Sequence, residues 1–231
     1  MQLFKLSTKL HRSETFAEFA KDFELNEHDL VLTNEFIYQP FMEKLGLPCR
    51  FVMQEKYGQG EPSDEMMNSI LRDLGGASFR RVIAIGGGTV IDIAKLFVIK
   101  DLTDVMDAFD HKIPLIKDRQ LVIIPTTCGT GSEVTNISIA EIKSRHTKMG
   151  LADDVIVADD AVIIPELLAG LPFRFYAASS IDALIHAVES YVSPKCNPYT
   201  RVFSVAAMDT IIDVFKKIAA TSPEERHKYA A

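Results

Sequence analysis

Between Arg81 and Lys95 the chain reads RVIAIGGGTVIDIAK, an apolar run of strand character that meets three glycines and passes directly into a segment of helical period starting near Thr89. Few architectures use that order. A strand that turns at once into a helix belongs to a parallel sheet, whose strands are joined by helical crossovers rather than hairpins. The same order builds an anion site: glycines let a phosphate approach the backbone, and the unpaired N–H groups and positive end of the helix face its charge. The stretch is not the dinucleotide fingerprint, because Ile91 occupies the third glycine position, and it is not a P-loop, because no Gly-Lys-Ser/Thr follows. Taken alone, the three glycines are equally explained by a structural tight turn.

The flanking sequence extends the pattern. Ser13 to Phe23 carries Phe16, Phe19, Ala20 and Phe23 at helical spacing, and Asp29 to Thr33, Cys49 to Gln54, Arg81 to Ile85 and Leu121 to Ile124 read as short buried strands. Ser63 is a suitable N-cap for a helix with Met66, Met67, Ile70, Leu71 and Leu74 on one side, which Gly75 and Gly76 stop. Asn136 to Ile142 and Val155 to Ile164 are β-like runs on either side of a polar loop, Lys143 to Gly150. From about Glu166 strand-like runs cease, and Ala177 to Val192 and Tyr199 to Ala220 are both helical in period. The expectation is a doubly wound α/β domain over residues 1–165, then the first part of an all-helical domain over 166–231, with the boundary near Pro165.

A second loop shares the chemistry of the first. LVIIPTTCGTGSEVT, from Leu121 to Thr135, is a buried strand ended by Pro125, followed by Thr126, Thr127, Thr130, Ser132 and two glycines. Ligands of open α/β sheets bind beyond the carboxyl ends of the strands, so two polar, glycine-rich loops at two such ends predict one nucleotide crevice. The plainer alternative is that these hydroxyls only satisfy turn backbone. In SSIDALIHAVESYV, from Ser179 to Val192, Asp182 and His186 lie four residues apart on one helical face. Such a pair can ligate a divalent metal or can simply hydrogen-bond on a helix surface. The stripe of Ile181, Leu184, Ile185 and Val188 around it predicts a buried seam, in which polar groups need partners or a metal.

Composition excludes other classes. A formal charge of -7 with no dense Lys/Arg tract argues against nucleic acid and anionic membranes as partners. No apolar run approaches the roughly 20 residues that span a bilayer, and Met1 to His11 has no signal-peptide core. Cys49, Cys128 and Cys196 lack paired spacing and read as free thiols, consistent with a reducing, cytoplasmic setting. His11, His28, His111 and His146 fall in polar stretches and read as solvated.

Taken together and in this order, GGGTVIDIAK, PTTCGTGSEVT and DALIHAVESY resemble the iron-containing, or group III, alcohol dehydrogenases over nearly the whole chain. The resemblance implies a Rossmann-like N-terminal domain that binds NAD or NADP and a helical domain that binds Fe(II) or Zn(II). By position, Gly87, Gly88 and Thr89 would touch the pyrophosphate, Thr126, Thr127, Thr130 and Thr135 would line the path of the cofactor, and Asp182 and His186 would be the first two metal ligands. It also implies a homo-oligomer at full length and a small alcohol or aldehyde as substrate. TNEFIYQPF at Thr33, QEKYGQGEPSDEM at Gln54 and SPKCNPYT at Ser193 are similar to the members of the family that act on 4-hydroxybutyrate, and that narrower resemblance implies 4-hydroxybutyrate and its aldehyde, succinic semialdehyde, as the substrate pair.

There are two departures from the family pattern. Its members complete the metal site with two later histidines, whereas the only histidine here after His186 is His227, in EERHKYAA; the expectation is therefore a truncated chain with an incomplete metal site. Many members also carry, at the position of Asn34, an aspartate that binds the adenosine ribose and would repel a 2′-phosphate, so Asn34 leaves NAD against NADP open. No catalytic residue is assigned. The rival readings are a catalytically inactive nucleotide-binding fragment and an enzyme resembling dehydroquinate synthase or glycerol-1-phosphate dehydrogenase, though the latter would need a basic cluster that the sequence does not show.

Overall fold

A computed structural model describes residues 3–222 and Glu225; His227 lies outside the described residues. The chain forms two compact units, one of Ser7–Pro125 with Ser132–Ile164 and one of Met1–Leu6, Thr126–Gly131 and Pro165–Ala231.

The first unit runs β1 (Lys9–Arg12), α1 (Phe16–Asp22), β2 (Asp29–Thr33), α2 (Glu35–Phe41), β3 (Arg50–Met53), α3 (Asp64–Leu74), β4 (Arg81–Gly86), α4 (Gly88–Leu96), α5 (Val105–Phe109), β5 (Gln120–Pro125), β6 (Ile137–Ile142), β7 (Thr147–Ala152) and β8 (Asp160–Ile163). Six strands form one sheet in the order β1-β8-β5-β4-β2-β3, and every pairing in it is parallel. The expected α/β class is therefore present. All five residues of β2 are buried, as a strand covered on both faces requires. Leu30, Leu32, Val82, Ala84, Leu121 and Ile123 share one core with Met66, Met67 and Ile70 of α3 and Val90, Ile91 and Ala94 of α4. Ser63 caps α3 as expected, its hydroxyl accepting from Met66 N at 3.3 Å, and Gly75 ends the helix in the left-handed region.

Three local expectations need correction. The second half of Lys143–Gly150 is not loop, because β7 pairs with β6 as an antiparallel hairpin, and Lys143–Arg145 forms a 3-10 turn; Leu151 is the one buried residue of β7, so no apolar alternation marks it in the sequence. Val155–Ile164 is strand only over β8, Asp154–Ile156 being a short 3-10 turn. His11 is likewise not a solvated loop residue: it lies on β1, and its Nε2 is 2.8 Å from Oδ1 of the buried Asp160.

In the second unit α6 (Pro165–Ala169) precedes two long helices, α7 (Phe173–Val192) and α8 (Pro198–Ala219). Asn197 caps α8 by accepting from Tyr199 N and Thr200 N, with Pro198 at the first helical position. The N-terminal segment belongs to this unit, with Phe4 stacked on Phe203 at a centroid distance of 5.3 Å.

Candidate functional site

The glycine turn is a backbone cradle. Gly87 caps α4 in extended conformation, with φ −81° and ψ −173°, and Gly88 opens the helix. Ile91 N is bonded back to Gly87 O at 3.1 Å, so the N–H groups of Gly88, Thr89 and Val90 precede the helical ladder and have no partner in it. Thr89 Oγ1 donates to Gly60 O at 2.9 Å, which ties the turn to the loop before α3. Gly86 stands opposite Pro125 in the register of β4 and β5, so the chain leaves both strands at one level of the carboxyl edge.

Gly86 is required by contact. A Cβ there would lie 2.7 Å from Val90 Cβ and Cγ2, and a β-branched side chain has little rotamer freedom on a helix with which to retreat. Gly86→Ala is expected to cost about 1–3 kcal/mol, read as a lower urea midpoint at unchanged slope. Adding Val90→Ala should make the pair less destabilised than the sum of the single changes; strict additivity would disprove the contact.

At the neighbouring strand end Asn34 follows β2 and makes no capping bond with its side chain. Its Nδ2 donates instead to Glu55 Oε2 at 3.0 Å and to Gln54 Oε1 at 3.3 Å. Glu55 Oε1 accepts from Glu35 N at 2.6 Å. A carboxylate therefore sits beside residue 34 after all, supplied by the segment that follows β3. Sequence reasoning missed Glu55, and only the pairing of Thr33 with Met53 brings the two positions together.

Thr135, expected on the cofactor path, has both hydroxyl functions engaged. Its Oγ1 accepts from Lys95 Nζ at 2.9 Å and donates to Ser132 O at 3.4 Å. Lys95 is fully buried and also donates to Ile137 O at 2.7 Å. Burial pushes its ammonium down to about 8, against the opposing pull of Asp92 and Glu133. Both of those carboxyls are in turn held above the usual carboxylate range by their own burial. The amine was not singled out from the sequence, where it reads as an ordinary helix-end lysine.

In the helical unit Thr126 is buried, Thr127 half-buried and Thr130 exposed. The loop that carries them is seated on α7: Cys128 Sγ lies 3.4 Å from Ser179 Oγ, and a Cβ on Gly129 would come within 2.6 Å of Ser179 O. On the same helix His186 Nδ1 is 3.8 Å from Asp182 Oδ2, and each side chain is about half exposed, at 51% and 46%. The one-face geometry holds. The buried seam expected around them does not, because Ile181, Ile185 and Val188 are exposed. Among the described residues no cluster of three or more His, Cys, Asp or Glu side chains could hold a metal. No helix among them is long and apolar enough to cross a membrane.

Comparisons with known proteins agree on one family. The model for iron-containing alcohol dehydrogenase matches residues 8–165, and the model for the C-terminal part of the Fe-containing alcohol dehydrogenase family matches residues 176–230. The chain is 51% identical to 4-hydroxybutyrate dehydrogenase of Clostridium kluyveri over 98% of its own length and 61% of that protein's. It is 33% identical to long-chain-alcohol dehydrogenase 1 of Geobacillus thermodenitrificans, over 87% of this chain and 53% of that one. The chain thus spans 61% and 53% of the curated relatives it matches. Among solved structures, sulfoacetaldehyde reductase of Bifidobacterium kashiwanohense in complex with NAD+ superposes with a TM-score of 0.82 at 18% identity, over 98% of this chain and 63% of that one. An iron-containing alcohol dehydrogenase of Thermotoga maritima gives a TM-score of 0.79 at 25% identity, over 98% and 65%.

Proposed function

The chain belongs to the iron-containing alcohol dehydrogenase family, and from that membership we propose that it serves NAD(P)-dependent, metal-assisted hydride transfer between 4-hydroxybutyrate and succinic semialdehyde. The observation that carries the cofactor half of this reading is the row of unladdered N–H groups at Gly88, Thr89 and Val90, opened by a cap without a side chain. That is a charge-matched seat for a diphosphate. The NAD+ held by the Bifidobacterium reductase supports the choice of ligand, and the 51% identity to 4-hydroxybutyrate dehydrogenase supports the substrate.

In this reading residues 1–165 form the dinucleotide-binding domain and 166–231 the start of the helical one. Gly87, Gly88 and Thr89 hold the diphosphate, Asn34 lies at the adenosine ribose, and Thr126, Thr127, Thr130 and Thr135 line the cofactor. The nicotinamide, when bound, supplies the hydride chemistry. Asp182 and His186 are two donors for Fe(II) or Zn(II). A catalytic metal ordinarily needs three or more protein ligands, and among the described residues no third donor joins them. The pair alone does not fit a complete centre, so no chemical step of this chain is routed through one. That shortfall favours a second reading for these residues alone, a catalytically inactive nucleotide-binding fragment.

Calorimetric titration with NADH, metal analysis after desalting and an assay with succinic semialdehyde separate the two. The expected result is cofactor binding with little retained metal and little turnover. Brisk metal-dependent reduction by this 231-residue chain would overturn the incomplete-centre reading, and failure to bind any nicotinamide cofactor would overturn the nucleotide reading itself.

A further inference from the structure

We propose that Glu55 is the residue that selects NAD(H) over NADP(H), replacing an acid that residue 34 does not provide. The inference rests on the cofactor reading above and deepens it. In parallel α/β nucleotide sites an acidic side chain at the end of the strand beside the glycine-turn strand accepts a hydrogen bond from the ribose 2′-hydroxyl and repels a 2′-phosphate. Here β2 is the strand paired with β4, although it precedes the glycine turn in the chain, and it is followed by the neutral Asn34. By itself an amide is no obstacle to a phosphate, since its N–H groups can donate to phosphate oxygens.

The geometry removes that option. Both hydrogens of Asn34 Nδ2 are spent, one on Gln54 Oε1 at 3.3 Å and one on Glu55 Oε2 at 3.0 Å. The opposite amide orientation would set Oδ1 against the carboxylate, so the donor assignment follows from the charge of Glu55. Glu55 is held at its other oxygen by Glu35 N at 2.6 Å. Both of its donors among the described residues are neutral groups, so they position the negative charge without offsetting it. Each oxygen keeps a lone pair, which suffices to accept from a ribose hydroxyl. A 2′-phosphate, carrying close to two negative charges, would meet the carboxylate of Glu55 that the Glu35 N–H and the Asn34 amide hold in place.

The test titrates NADH and NADPH separately into the purified chain and into Glu55→Gln, an isosteric change that removes the charge, with circular dichroism to confirm folding. The wild-type chain should bind NADH at least about tenfold more tightly than NADPH, a gap of about 1.4 kcal/mol. Glu55→Gln should shrink that ratio severalfold, mainly by strengthening NADPH. The double change Asn34→Asp with Glu55→Gln should restore the preference by moving the acid onto β2. An unaltered ratio in Glu55→Gln, or tighter NADPH in the wild-type chain, would overturn the assignment while leaving the cofactor reading intact. Failure of both cofactors to bind would bring down both together.

Discussion

Arg81→Met is expected to cost about 3–5 kcal/mol of unfolding free energy, because it strands a buried carboxylate. Asp29 and Arg81 stand opposite each other at the amino ends of β2 and β4. The guanidinium grips both carboxylate oxygens, Nε to Oδ1 at 2.8 Å and Nη2 to Oδ2 at 2.6 Å. The Asp29 side chain is 2% exposed and that of Arg81 14%. Water therefore replaces the lost partner poorly, and among the described residues the Asn26 N–H, 2.8 Å from Oδ2, would remain beside the carboxylate. Replacing both, as Asp29→Leu with Arg81→Met, removes the stranded charge together with its partner, so the double variant should be more stable than Arg81→Met alone. Urea denaturation of the three variants beside the wild-type chain checks this. A loss below about 1 kcal/mol for Arg81→Met, typical of exposed ion pairs, would show that water reaches the site.

Lys95→Met should abolish an alkaline gain in stability. The ammonium titrates near 8 in the folded chain against 10.5 for the ordinary value. Between those two pH values the unfolded chain binds more protons than the folded one, so this group's contribution to stability rises with pH across the window. Below about pH 8 the folded chain carries a charged amine in a desolvated place. At about 1.4 kcal/mol per pH unit, the full rise is on the order of 3 kcal/mol. The neutral amine still has two hydrogens for Thr135 Oγ1 and Ile137 O, so deprotonation costs no hydrogen bond. The difference in unfolding free energy between wild-type and variant chains, followed from pH 7 to 10.5, should shift toward the wild type by that amount. Parallel profiles would mean that Lys95 keeps an ordinary affinity for its proton.

Much of the architecture was legible because it is written locally. The run into Gly86–Gly88, the Ser63 cap with its Gly75 stop, and the periods of α7 and α8 each declare themselves within a dozen or so residues. What escaped depends on pairing across the chain. β1 is a four-residue edge strand with Leu10 exposed, and without its neighbour β8 it looks like a polar tail. β7 shows the same dependence, since its hydrogen bonds to β6 rather than its side chains define it. The site repeats the lesson. Asn34 could be flagged from sequence because the family resemblance sets an aspartate at its position, whereas Glu55 acquires meaning only when β3 is laid beside β2. The Asp182 and His186 pairing was readable from helical spacing, but the exposure of Ile181 and Ile185 was not, because period reports a shared face and not what covers it.

The pairing of Gly86 with Pro125 also divides this edge into parts that tolerate change and parts that do not. Proline offers no amide hydrogen, so the ladder stops there by covalent necessity. Inserting or deleting one residue upstream of either position would invert the inward and outward alternation of that strand. Substitutions in the turns beyond leave that alternation untouched, although Gly129 admits no side chain against Ser179 O. Diversification of ligand chemistry at this rim should therefore proceed by exchanging side chains at conserved strand length, with insertions confined to the outer bends.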